Sequence, residues 1–97
     1  MTDEFTKLFN IIESRKTSSI KKSYTKQLLT KGSKKIAQKI GEESAELIID
    51  YLKGTKKRTT EEAVDLIYHL FVLLVSKKIN INDLKKEIKK RQVKNVR

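Results

Sequence analysis

Not one proline interrupts this chain, and it holds only three glycines in 97 residues. So few breakers favour long helices, because proline removes a backbone donor and glycine is the commonest helix stop. Apolar spacing then marks out the elements. Phe5, Leu8, Phe9 and Ile12 predict an amphipathic helix over residues 3–15, broken at 17–19. Ser23-Tyr24-Thr25 leads into a short helix through Leu29 that stops near Gly32. Ser33 reads as the N-cap of a long helix reaching Leu52, with Gly54 as its stop. Residues 54–58 read as a polar, basic loop. Thr59 followed by Glu62 matches a capping box and opens a fourth helix ending near Lys77. Asn80 with Asp83 starts a last helix to about Gln92, leaving 93–97 as a frayed tail. The expected fold is all-α, a bundle of four to five helices forming one domain over residues 1–97.

Composition narrows the function. With no cysteine, thiolate metal sites, disulfides and cysteine nucleophiles are excluded. No signal-peptide pattern opens the chain, so a reducing cytoplasm is the expected compartment. The apolar run 66–75 is about half the length that crosses a bilayer, and reads as a buried helix. The formal net charge of +11 points to nucleic acid, an anionic surface or a phosphorylated ligand. Its distribution is uneven. Nine Lys or Arg and no acid lie between Glu13 and Glu42, whereas residues 42–65 hold seven of the twelve acids. An acidic patch is thus embedded in a basic protein, although many of the lysines read simply as solvated helix faces.

Within that patch Glu43, Glu46, Glu62 and Asp65 form E-x-x-E, a spacer, then E-x-x-D. A three-residue step puts both acids of a pair on one helix face. Two such helices packed antiparallel would aim all four acids at one spot, where they repel unless a cation separates them. Clustered oxygen ligands suit a hard ion such as Mg²⁺. Glu43 also interrupts the apolar stripe of Ile36, Ile40, Leu47 and Tyr51, a costly place for an unpaired charge. On residues alone, a metal site and a salt-bridged or solvated set both remain open. Glu42 is either a fifth ligand or the base that orients a water. His69, one turn after Asp65, reads as a core histidine holding Asp65 from behind. Tyr68 reads as core with a hydroxyl seeking a partner, and Tyr24 as either packed or touching a ligand. Lys31-Gly32-Ser33-Lys34-Lys35, ahead of a helix N-terminus, favours an anion but lacks P-loop spacing. The fourth helix is apolar nearly all round, which implies a partner subunit and at least a homodimer.

Ser23-Tyr24-Thr25, Lys31-Gly32, Lys39-Ile40-Gly41-Glu42-Glu43 with Glu46, and the run Glu62-Ala63-Val64-Asp65-Leu66-Ile67-Tyr68-His69-Leu70 together resemble the phosphoribosyl-ATP pyrophosphatase family. That family belongs to the all-α, MazG-like NTP pyrophosphohydrolases, and the resemblance covers roughly residues 23–92. It implies Mg²⁺-dependent hydrolysis of phosphoribosyl-ATP to phosphoribosyl-AMP and pyrophosphate, the second step of histidine biosynthesis. It implies that Glu43, Glu46, Glu62 and Asp65 hold Mg²⁺ and that Glu42 or Glu43 handles the water. Lys31, Lys34 and Lys39 would face the phosphates, with Ser23, Tyr24 and Thr25 beside the substrate. A homodimer or dimer of dimers is implied too, with no nucleic acid or membrane as partner. Ser44 and Val64 depart from the small residues expected at their positions. Some relatives carry this domain behind a cyclohydrolase domain. Here the next step is expected to fall to another protein. Two rival readings share parts of the pattern: a housekeeping pyrophosphohydrolase acting on (d)NTPs, and a basic helical nucleic-acid-binding protein.

Overall fold

In the computed structural model, residues 3–17 and 23–94 are described, and all their regular structure is helical. The order is α1 (Glu4–Arg15), α2 (Tyr24–Lys31), α3 (Ser33–Lys53), α4 (Lys56–Ser76) and α5 (Ile81–Lys94). The all-α expectation therefore holds. Ser18 and Ser19 of the expected break, and residues 95–97 of the expected tail, lie outside the described residues. The helix reaches Lys94, two residues past the expected stop.

Local chemistry explains most of the boundaries. Asp3 caps α1 by accepting the Thr6 N–H at 2.7 Å, and Ser23 caps α2 by accepting that of Lys26 at 3.2 Å. Asn80 and Asp83 form a reciprocal box, each side chain accepting the other's backbone N–H at 2.9 and 3.0 Å. Two expected caps fall elsewhere. Ser33 is the first residue of α3, and Gly32 stands at the N-cap with φ +91° and no side-chain cap bond. Such a conformation suits only glycine, so Gly32 lets the chain turn directly from α2 into α3. Nor does Thr59 open α4. Thr55 does so, accepting the Arg58 N–H at 3.1 Å, and α4 starts at Lys56 inside the expected loop. Thr59 is already helical, with its hydroxyl donating to the Thr55 carbonyl at 2.8 Å.

The α3–α4 corner is only Gly54 and Thr55, which forces the two helices antiparallel. The core lies at the far end from this corner. There Phe9 and Ile12 of α1, Leu28 of α2, Ile36 of α3 and Phe71, Val72 and Val75 of α4 are buried together. Phe9 and Phe71 meet edge to face, with centroids 5.3 Å apart. From α5, Ile81 and Leu84 lean on this cluster. The expected inward stripe of α3 is shorter than its spacing suggests. Ile36 is buried and Ile40 and Leu47 are half-buried, but Tyr51 is 75% exposed because no helix covers that end of the hairpin. No described helix is long and apolar enough to cross a membrane.

Candidate metal centre

Facing positions of α3 and α4 bring the acids together halfway along the hairpin. Glu43, Glu62 and Asp65 each offer a carboxylate oxygen, and these oxygens lie within 4.8 Å of one another. Glu43 and Glu62 are buried, while Asp65 is exposed. Glu46 falls outside this trio and is exposed, yet it lies close enough for its charge to act on Glu62.

Electrostatics marks Glu62 as the focus. Burial first, and then the Glu46 charge, push its carboxyl above the ordinary carboxylate value, against the pull of Arg58. Its Oε1 accepts from Arg58 Nη2 at 2.6 Å. Its Oε2 is buried with no donor among the described residues, and the charges of Glu46 and Asp65 act on this carboxylate. A buried, donorless carboxylate oxygen facing like charges is what a hard cation would complete, and an all-oxygen ligand set fits Mg²⁺. The residues present therefore suit such an ion.

Around this focus the other expected residues take distinct places. Lys39 Nζ stands between Glu42 Oε1 at 3.3 Å and Glu43 Oε1 at 3.7 Å. Its hydrogen bond to Glu42, aided by the charges around it, raises its pKa. The Glu42 carboxylate accepts from Gln38 Nε2 at 2.8 Å and from Lys39, which together lower its pKa. A carboxylate so held is a weaker base. Lys31 and Lys34 are exposed, at the end of α2 and in the first turn of α3. At 1.5 Å per residue Lys34 lies about 13 Å along α3 from Glu43.

The hydroxyls of Ser23-Tyr24-Thr25 are engaged within the protein. Ser23 caps α2, Tyr24 Oη pairs with His69 Nε2 at 3.1 Å, and Thr25 Oγ1 hydrogen-bonds Tyr68 Oη. His69 Nδ1 lies 2.7 Å from the Asp65 carbonyl, which can only accept, so Nδ1 carries the proton and Nε2 accepts from Tyr24. His69 does hold Asp65, but through its backbone. Tyr24 also stacks on Tyr68, with centroids 6.1 Å apart. Together these bonds fasten the start of α2 to α4, one turn beyond Asp65.

Comparison with known proteins assigns the family. The phosphoribosyl-ATP pyrophosphohydrolase family matches residues 5–92. The chain belongs to this family. Among its curated relatives, the phosphoribosyl-ATP pyrophosphatase of Bacillus cytotoxicus is 48% identical over 84 residues, covering 87% of this chain and 78% of that protein. The enzyme of the same name from Bacillus cereus (strain B4264) is 45% identical over 94 residues, 97% of this chain and 88% of the relative. That of Clostridium botulinum (strain Hall) is 47% identical over 85 residues, 88% and 77% of the two chains.

Arg58 is the site residue that spacing alone did not expose. Placing it in a loop hid its helical relation to Glu61 and Glu62, three and four residues on. Those intervals were the available signal.

Proposed function

We propose that this chain hydrolyses phosphoribosyl-ATP to phosphoribosyl-AMP and pyrophosphate, the second step of histidine biosynthesis, with Mg²⁺ held by Glu43, Glu46, Glu62 and Asp65. The observation that carries the metal is the convergence of three carboxylate oxygens within 4.8 Å, two of them on buried residues. The substrate follows from membership of the family and from the names of its relatives. An ATP-derived substrate supports a cytoplasmic location for the enzyme.

When bound, the cation supplies charge neutralisation at the phosphoryl oxygens and lowers the pKa of a coordinated water. Glu43, buried and within the trio, would orient the attacking water and take its proton. Glu42 keeps Lys39 pointed at the acids, where its ammonium would meet a substrate phosphate. Lys31 and Lys34, further along the hairpin, receive the distal phosphates. Ser23, Tyr24 and Thr25 form the wall of the site by docking α2 on α4.

We further infer a homodimer through α3. Gly41, Ala45, Ile48, Ile49 and Leu52 share one exposed face of this helix, opposite the side that meets α4. Ile48, Ile49 and Leu52 are 57%, 59% and 69% exposed there, a contiguous apolar patch of the kind that marks an interface.

The test is pyrophosphate release from phosphoribosyl-ATP with Mg²⁺ and with EDTA, beside a panel of dNTPs. Release that needs Mg²⁺ and favours phosphoribosyl-ATP is expected. Faster turnover of a dNTP would remove the substrate assignment, and undiminished release in EDTA would remove the metal.

A further inference from the structure

The shortest ion pair at the acid cluster involves a residue that the mechanism above leaves unused. Arg58 Nη2 is 2.6 Å from Glu62 Oε1 and Nη1 is 3.0 Å from Glu61 Oε1, with Asp50 Oδ2 at 3.8 Å from Nη2. The Glu62 side chain is 6% exposed, and its Oε2 has no donor among the described residues. One oxygen of a buried carboxylate is thus gripped by a cation and the other is left free.

Arg58 sits where helix electrostatics disfavours it. It is in the first turn of α4, which holds no acid, and the positive end of the helix dipole lies there. A base preceding an acid by four residues is also the weaker orientation of a helical ion pair. Generic helix stability therefore does not explain the placement. Nor does the guanidinium stand in for a metal ion among the acids. Its other partners, Glu61 and Asp50, are not members of the converging trio, so it grips Glu62 from outside that trio.

We propose that Arg58 is a positioning residue for the metal centre: it fixes the Glu62 side chain by Oε1 and leaves Oε2 for the divalent cation. The proposal rests on the metal reading above. Without the guanidinium, the buried Glu62 side chain gains rotamer freedom, and a cation would have to order it on entering.

The test is Mn²⁺ binding to the full chain, followed by loss of the free-ion EPR signal, in wild type and three variants. Arg58→Gln is expected to bind Mn²⁺ about 10–100-fold more weakly, the range for losing a group that orients a ligand. Arg58→Lys keeps the charge but not the fork, and is expected to fall between the two. Arg91→Gln removes a similar four-residue pair, Arg91 Nε to Glu87 Oε2 at 2.9 Å on α5, and is expected to bind as wild type does. Unchanged binding by Arg58→Gln would make Arg58 an ordinary surface pair, and tighter binding would make it a competitor of the metal; either overturns the proposal. Should Arg58→Gln not fold, the lysine variant decides: wild-type affinity overturns the proposal and weaker affinity supports it. A wild type that takes up no Mn²⁺ overturns the metal reading itself, and that result is distinct from equal binding by wild type and variant.

Discussion

Tyr24 gives its hydroxyl proton to Nε2 of His69 at 3.1 Å, across the gap between α2 and α4. The direction is fixed because the Nδ1 proton of His69 is already committed to the Asp65 carbonyl at 2.7 Å. His69 is 5% exposed, so losing the donor leaves a buried acceptor unsatisfied. Tyr24→Phe is therefore expected to cost about 1–2 kcal/mol in urea denaturation while keeping the helical circular dichroism. A variant as stable as wild type would show that the bond does not fasten α2.

The pH dependence of the metal-free protein follows from Glu62. Folding raises its pKa, so folding favours the protonated form. The stability contributed by that preference is present below the unfolded value and disappears as pH rises through the folded value. Glu62→Gln has no such titration. In EDTA, the melting temperature of wild type relative to Glu62→Gln is expected to fall as pH rises above the ordinary carboxylate value. A gap that stays constant would contradict the raised pKa.

Removing an acid from the trio, or the Glu46 carboxylate beside it, separates chemistry from fold. Asp65→Ala, and likewise Glu46→Ala, is expected to lower pyrophosphate release to background with helical content intact. Each also relieves like-charge repulsion, so the melting temperature in EDTA is expected to hold or rise. Near-normal turnover in both variants would rule these residues out as ligands.

Two glycines have different reasons and give different losses. A Cβ on Gly54 would lie 2.7 Å from Asp50 Oδ1, 2.8 Å from Asp50 O and 3.0 Å from Asp50 Cα, two of them backbone atoms. Gly54→Ala is expected to cost about 1–3 kcal/mol by forcing the hairpin corner open. Gly32 has open space around it, and its φ of +91° is the obstacle. Gly32→Ala is expected to cost about 1–3 kcal/mol through backbone strain. Because Gly54 closes the hairpin that carries the acids, its variant should also weaken Mg²⁺ binding more than Gly32→Ala does. Equal metal affinity in the two would sever the corner from the site.

Leu52, 69% exposed on the unpartnered face of α3, tests the assembly. Leu52→Lys is expected to shift sedimentation from dimer to monomer, since a lysine at an apolar contact must give up its hydration. An unchanged sedimentation coefficient would place the interface elsewhere.

Much of this was legible in the order of residues. Helical spacing located all five helices, and Glu43 announced itself by interrupting the stripe of Ile36, Ile40 and Leu47. The failures share a cause: a cap is decided by local backbone geometry, which composition does not fix. Thr55 and Thr59 both have the hydroxyl that a cap needs, and only the two-residue corner after Lys53 selects Thr55. That shift carried Arg58 into the helix. Tyr51 follows the stripe's spacing but lies past the end of its neighbours, so periodicity alone overstated its burial. The pairing of Tyr24 with His69 joins residues 45 positions apart, beyond the reach of any local pattern.

Both acid pairs ride on consecutive helices closed by Gly54 and Thr55, so their meeting requires the shortest kind of chain closure. Low sequence separation predicts that these contacts form before α1 returns to cover Phe71 and Val72, so the carboxylates would meet their repulsion early in folding. A divalent ion present at that moment would hasten the folding reaction as well as hold its product.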